Sequence, residues 1–83
     1  AEIQTRAVKY PKEGGKWSYG TTRSDGGGTV YSDYLHQRVD HGSSVKNAHG
    51  RTNRSPVARP GQWSHAELPA IAGEKDEAFY WTL

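Results

Sequence analysis

The side chains able to do chemistry gather in the middle of this 83-residue chain. Histidines stand at positions 36, 41, 49 and 65. In a chain without cysteine, a histidine site could hold zinc and act as a structural staple. The spacing His36-x4-His41-x7-His49 fits no standard zinc pattern, and Asp33 and Asp40 would have to complete the ligand set. No metal and no cofactor is therefore expected. Hydrolysis needs a nucleophile, a base and an orienting acid. Ser32, Asp33, His36, Asp40 and His41 supply those types in one stretch. Any polar strand and turn would do the same, and there is no Gly-x-Ser-x-Gly elbow. Gly26-Gly27-Gly28 lacks the Lys-Ser/Thr pair and helix of a phosphate loop, and reads as a turn. These residues make no convincing active site, so the expected protein is not an enzyme.

Recognition is the better use for them. Arg51, Arg54 and Arg59 fall in a stretch, residues 51–63, that holds no acid. Guanidinium groups there would be drawn to phospholipid head groups or polyphosphates. Residues 1–23 are basic too, with Arg6, Lys9, Lys12, Lys16 and Arg23 against Glu2 and Glu13. Acids concentrate at the end, as Glu67, Glu74, Asp76 and Glu77 against Lys75. The net charge is only +2, and no nucleic-acid partner is expected. The aromatics Trp17, Tyr19, Tyr31, Tyr34, Trp63, Phe79, Tyr80 and Trp81 must build the core. Those left on an outer face could stack on sugars or lie at a membrane interface. The candidate ligand-binding residues are Tyr31, Tyr34, His36 and His41, with Arg51, Arg54 and Arg59 on a neighbouring loop.

The elements that must position these residues read as strands. Gly and Pro punctuate the chain about every ten residues, as suits an all-β sandwich or barrel. Candidate strands cover residues 4–10, 16–19, 29–35, 43–48, 62–68 and 77–83. Thr29-Val30-Tyr31-Ser32-Asp33-Tyr34-Leu35 is rich in β-formers. Alternation puts Trp63, His65 and Glu67 on one face and Ser64, Ala66 and Leu68 on the other. It likewise separates Phe79 and Trp81 from Ala78, Tyr80 and Thr82. Residues 51–61 carry Pro56 and Pro60, which remove backbone donors, and read as a long loop. The expected core takes Trp17, Val30, Val45 and Trp63 with some of Phe79, Tyr80 and Trp81.

Eighty-three residues allow one domain, and a chain so short usually needs a staple. With no cysteine there are no disulfides, so thin sheet packing or self-association as a homodimer has to serve. No apolar run approaches the roughly 18 residues that cross a bilayer. The chain begins at Ala1 rather than Met, which fits a secreted protein after removal of a signal peptide.

Ordered landmarks then point to a family. They are Glu13-Gly14-Gly15-Lys16-Trp17-Ser18-Tyr19-Gly20, Tyr31-Ser32-Asp33-Tyr34-Leu35-His36, His41-Gly42-Ser43-Ser44-Val45, Gly61-Gln62-Trp63-Ser64-His65-Ala66 and Ala78-Phe79-Tyr80-Trp81. In this order, over about 70 residues, they resemble the lactococcin 972 bacteriocins. The resemblance implies a small all-β fold, a sandwich of two antiparallel sheets without disulfides. It implies a secreted antibacterial protein whose partner is the envelope of competing cells. The type member engages the cell-wall precursor lipid II and blocks septum formation, rather than making pores. The likeness covers residues 13–83 and leaves residues 1–12 without a counterpart, as an extra arm or a retained processing segment. The family brings no settled set of binding residues, so the candidates above rest on chemistry alone. A secreted, non-toxic binding or signalling module is the alternative.

Overall fold

The computed structural model describes residues 7–23 and 25–83. Among these residues the regular structure is all strand: β1 Ala7–Lys9, β2 Lys16–Thr21, β3 Thr29–Leu35, β4 His41–Lys46, β5 Thr52–Arg54, β6 Trp63–Pro69 and β7 Glu77–Thr82. They form a four-stranded sheet in the order β1-β2-β3-β6 and a three-stranded sheet in the order β5-β4-β7. Every pairing is antiparallel. The inner face of β3 and β6 packs on β4 and β7, so the fold is the expected two-sheet sandwich.

Alternation sets the faces. On β3, Val30, Ser32 and Tyr34 point inward and are fully buried, while Tyr31, Asp33 and Leu35 are half-buried on the outside. On β6 the inward residues are Ser64, Ala66 and Leu68. The core comprises Trp17, Tyr19, Val30, Tyr34, Val45, Ala66, Leu68 and Ala78, with Tyr80 packed against it. Trp63 was expected there and is instead 49% exposed. The register explains this. Ser64 lies opposite Tyr34 and Ala66 opposite Ser32, so small inward residues make room for the large rings already inside. Phe79 and Trp81 share the outer face of β7, and Tyr80 takes the inner one.

One further expectation changes, and the strand expected at 4–10 is found in part. Residues 51–61 are not all loop, because Thr52–Arg54 pairs with β4 as an edge strand. Pro56 follows it, and Ala58 makes an isolated bridge to His41. Of the expected arm, Ala7–Lys9 pairs with β2. Residues 1–6 of that arm, and with them the start of the strand expected at 4–10, lie outside the described residues.

The sheets are joined by hydrogen bonds as well as by apolar contact. The Trp17 indole N–H donates to Ser32 Oγ at 2.8 Å. The Ser32 hydroxyl donates onward to the Phe79 carbonyl on the other sheet at 2.9 Å. Ser43 Oγ and Ser64 Oγ form a second cross-sheet link at 2.9 Å. Buried polar groups cost free energy unless paired, so these hydroxyls fix which sheet faces which. Ser32→Ala leaves the Trp17 N–H and the Phe79 carbonyl without their partner and is expected to cost about 1–3 kcal/mol. Ser18→Ala, on the outer face of β2, is expected to change stability by less than about 0.5 kcal/mol. Urea unfolding of the two variants checks both.

Candidate functional site

The structure separates the seven expected site residues into two groups. Tyr34, His36 and His41 lie inside and cannot stack on a ligand at the surface. Tyr34 donates its hydroxyl to the Gly14 carbonyl at 2.5 Å. Burial first, then Tyr80 and Glu13, push its pKa up and keep it a phenol. His36 Nε2 lies 2.9 Å from the Glu13 carbonyl, and its Nδ1 accepts from the Arg38 amide at 3.1 Å. Nε2 therefore carries the proton and donates. The ring nitrogens of His41 lie 2.9 Å from the Val39 carbonyl and 2.6 Å from that of Gln62. The three rings pack edge to face, Tyr34 to His41 at 5.4 Å between centroids and Tyr34 to His36 at 6.2 Å. These polar side chains are thus structural, tying the loops before β2, β4 and β6 to the core. A hydrolytic triad is not assembled either: Ser32 points in and Asp33 out.

The Gly14-Gly15 turn depends on this arrangement. Gly15 has a φ of +90°, and a Cβ there would lie 2.3 Å from the Leu35 carbonyl oxygen. Only glycine lets the chain approach β3 so closely.

Arg51, Arg54 and Arg59 are exposed. Among the described residues none of them pairs with a carboxylate. Arg54 is held in place by Trp81. Its guanidinium lies 4.3 Å from the centroid of the Trp81 ring. The ring in turn lies flat on Gly42, its cross-strand partner, where a Cβ would come within 1.9 Å of it. Trp81 Nε1 is buried and, among the described residues, has no hydrogen-bond partner. Phe79 is one rung along, opposite Ser44, and is 39% exposed. A groove of about 350 Å³ runs beside β7, lined by Glu13, Trp17 and residues 78–82. Here an exposed guanidinium lies over an indole, with the exposed ring of Phe79 one rung along. A guanidinium so fixed loses little freedom on binding phosphate oxygens in a forked pair. Tyr31 is not part of this face, because it lies on the outside of the other sheet, opposite Glu67.

That other sheet carries a cluster the sequence reading missed. His65 lies between two carboxylates: its Nδ1 contacts Asp33 Oδ1, and its Nε2 is 2.9 Å from Glu67 Oε1. Both nitrogens can donate only in the imidazolium. The bond to Glu67 raises the His65 pKa most, Asp33 adds to it, and partial burial works against both. A groove of about 500 Å³ runs past this cluster, lined by Val8, Lys16, Ser18, Asp33, Trp63, Ser64 and His65. The available signal was the alternation of Trp63, His65 and Glu67 along β6, which was overridden by the preference for burying tryptophan.

The sign of the His65 effect follows from linkage. Its folded pKa is above the ordinary imidazole value of about 6.5. The cluster therefore stabilises fully below that value, and the contribution is lost as pH rises through the folded pKa. The His65 ring resonances are expected to titrate above the ordinary range, and Glu67→Gln should lower their midpoint. An NMR pH titration of both proteins checks this.

Comparison with known proteins adds to the geometry. No curated protein and no solved structure matches the chain. The family described as Bacteriocin (Lactococcin_972) matches residues 13–81. That span runs from the Glu13-Gly14-Gly15 turn to Trp81, and so takes in the buried Tyr34 and histidine cluster and the Arg54–Trp81 stack. With most of its length matched, this chain belongs to the lactococcin 972 family of bacteriocins.

Proposed function

We propose that the protein is a secreted bacteriocin that acts on the envelope of competing bacteria by binding a lipid-linked cell-wall precursor such as lipid II, and so blocks septum and wall synthesis. The observation that carries this reading is the Arg54 guanidinium stacked on Trp81 beside exposed Phe79. Lipid II joins a pyrophosphate to a long apolar chain and a sugar head. Its pyrophosphate matches the forked donors of Arg54, with Arg51 and Arg59 adding exposed charge on the same segment. Its apolar part matches Phe79 and the groove along β7. The expected Tyr31, Tyr34, His36 and His41 drop out of this contact set, because three are buried and Tyr31 faces the other way.

Ion-pairing hydrogen bonds are worth about 1.5–3 kcal/mol each, and 1.4 kcal/mol is tenfold in affinity. Arg54→Ala is thus expected to weaken binding to precursor-bearing vesicles by about tenfold or more. Replacing Arg51, Arg54 and Arg59 together should abolish both binding and growth inhibition. All three side chains are exposed, so thermal stability should change little. If the triple variant still inhibits growth and still binds the vesicles, this placement of the site is wrong.

A further inference from the structure

We propose that the groove on the outer face of the four-stranded sheet is a binding site for an uncharged pyranose sugar. The register builds it. Lys16, Leu35 and Trp63 form one cross-strand row, and Val8, Ser18, Asp33 and His65 form the next. Trp63 is exposed where the facing core has no room for it, and its ring borders a groove of about 500 Å³. That volume falls within the range of about 300–1,000 Å³ usual for small-ligand sites and has room for a mono- or disaccharide.

The chemistry of the lining selects the ligand. An indole offers a flat apolar platform, which matches the C–H face of a pyranose ring. Sugar hydroxyls both donate and accept, and the groove supplies both kinds of partner. Asp33 uses one carboxylate oxygen on His65, which leaves the second to accept from hydroxyls. Ser18 and Lys16 supply donors. The hydrogen bond to His65 also fixes the Asp33 carboxylate before any ligand arrives, which lowers the ordering cost of binding.

Charge decides between an ionic and a neutral ligand. Among the lining residues the charge of Lys16 offsets that of Asp33, and the His65 imidazole is tied to Asp33 and, beside the groove, to Glu67. No net charge remains to attract a phosphate or an amine, so the site favours a neutral, hydroxyl-rich molecule. This face is opposite to the one that carries Arg54 and Trp81, and the inference does not rest on the antibacterial reading.

The test uses the full chain, isotope-labelled, with N,N′-diacetylchitobiose, cellobiose and maltose as probes. At least one disaccharide should shift the Trp63 indole and His65 resonances in a saturable way. Trp63→Ala should bind it about tenfold more weakly, and Trp63→Tyr, which restores a ring, should recover part of the loss. Trp63 is on the surface, and a well-dispersed amide spectrum confirms that each variant is folded. Co-sedimentation with purified cell-wall glycan, or with vesicles carrying a neutral glycolipid, identifies polymer or membrane as the source of the sugar. Either result supports the site if it is lost in Trp63→Ala. Absence of any shift with all three probes and of sedimentation with either material would falsify it, as would binding that Trp63→Ala leaves intact. Such a failure leaves the Arg54–Trp81 face untouched, since that face is tested with different variants and a different ligand.

Discussion

The sandwich depends on a hydrogen-bond relay through its centre, from the Trp17 indole to Ser32 and from Ser32 to the Phe79 carbonyl on the opposite sheet. A chain of this length with no disulfide has few ways to hold two sheets in register. Its apolar core is small, and much of the interior is polar: Thr21, Ser32, His36, His41, Ser43, Asn47, Ser55, Ser64 and Asp76 are all buried. Such an interior is stable only when its donors and acceptors are paired. Asn47 illustrates the economy. Its amide oxygen accepts from His49 and Arg51, and its NH2 group donates to Pro69, so one side chain closes the β4–β5 turn and ties it to β6. Asp76 similarly receives the amides of Ala48 and Ile71.

This interior determines what is left for the surface. The aromatic column of Trp17, Tyr80 and Tyr34, with centroids 4.7 and 4.9 Å apart, fills the space between the sheets. Once those rings are inside, Trp63 and Phe79 remain exposed on the two outer faces, and Trp81 lies against Gly42 on one of them. Each outer face therefore pairs an aromatic ring with fixed charge. One carries a guanidinium on indole, and the other an imidazole between two carboxylates. The same alternation that makes the core gives the molecule two chemically distinct faces.

Much of the fold was legible in the sequence, and less of the site. Thr29–Leu35 could be bounded to the residue because its β-formers alternate and turns flank it. β5 could not, since Thr-Asn-Arg has no apolar signature and becomes a strand only by pairing with β4, beside which the Ser55 amide donates to the Ser43 carbonyl and the Ser43 amide to the Ser55 hydroxyl. Alternation also separated the two faces of β6 correctly but could not say which was inward. That choice is made by Tyr34 across the register, and it moved Trp63 outside. Tyr34, His36 and His41 look like surface recognition residues because they are polar. Their carbonyl partners at Gly14, Glu13 and Gln62 lie some 20 residues away along the chain and emerge only on folding. The Asp33–His65 contact is hidden in the same way, by a separation of 32 residues. Arg51, Arg54 and Arg59 were found because a run of basic residues without acid is visible locally.

Family membership makes the chain a bacteriocin, and the central proposal is that its Arg54–Trp81 face captures a wall precursor. Competition measures that claim most directly. Growth inhibition of a susceptible strain by the purified protein should be titrated away by added lipid II, with full protection near stoichiometric precursor, and phospholipid alone should give none. Inhibition that persists undiminished in excess lipid II would contradict the account.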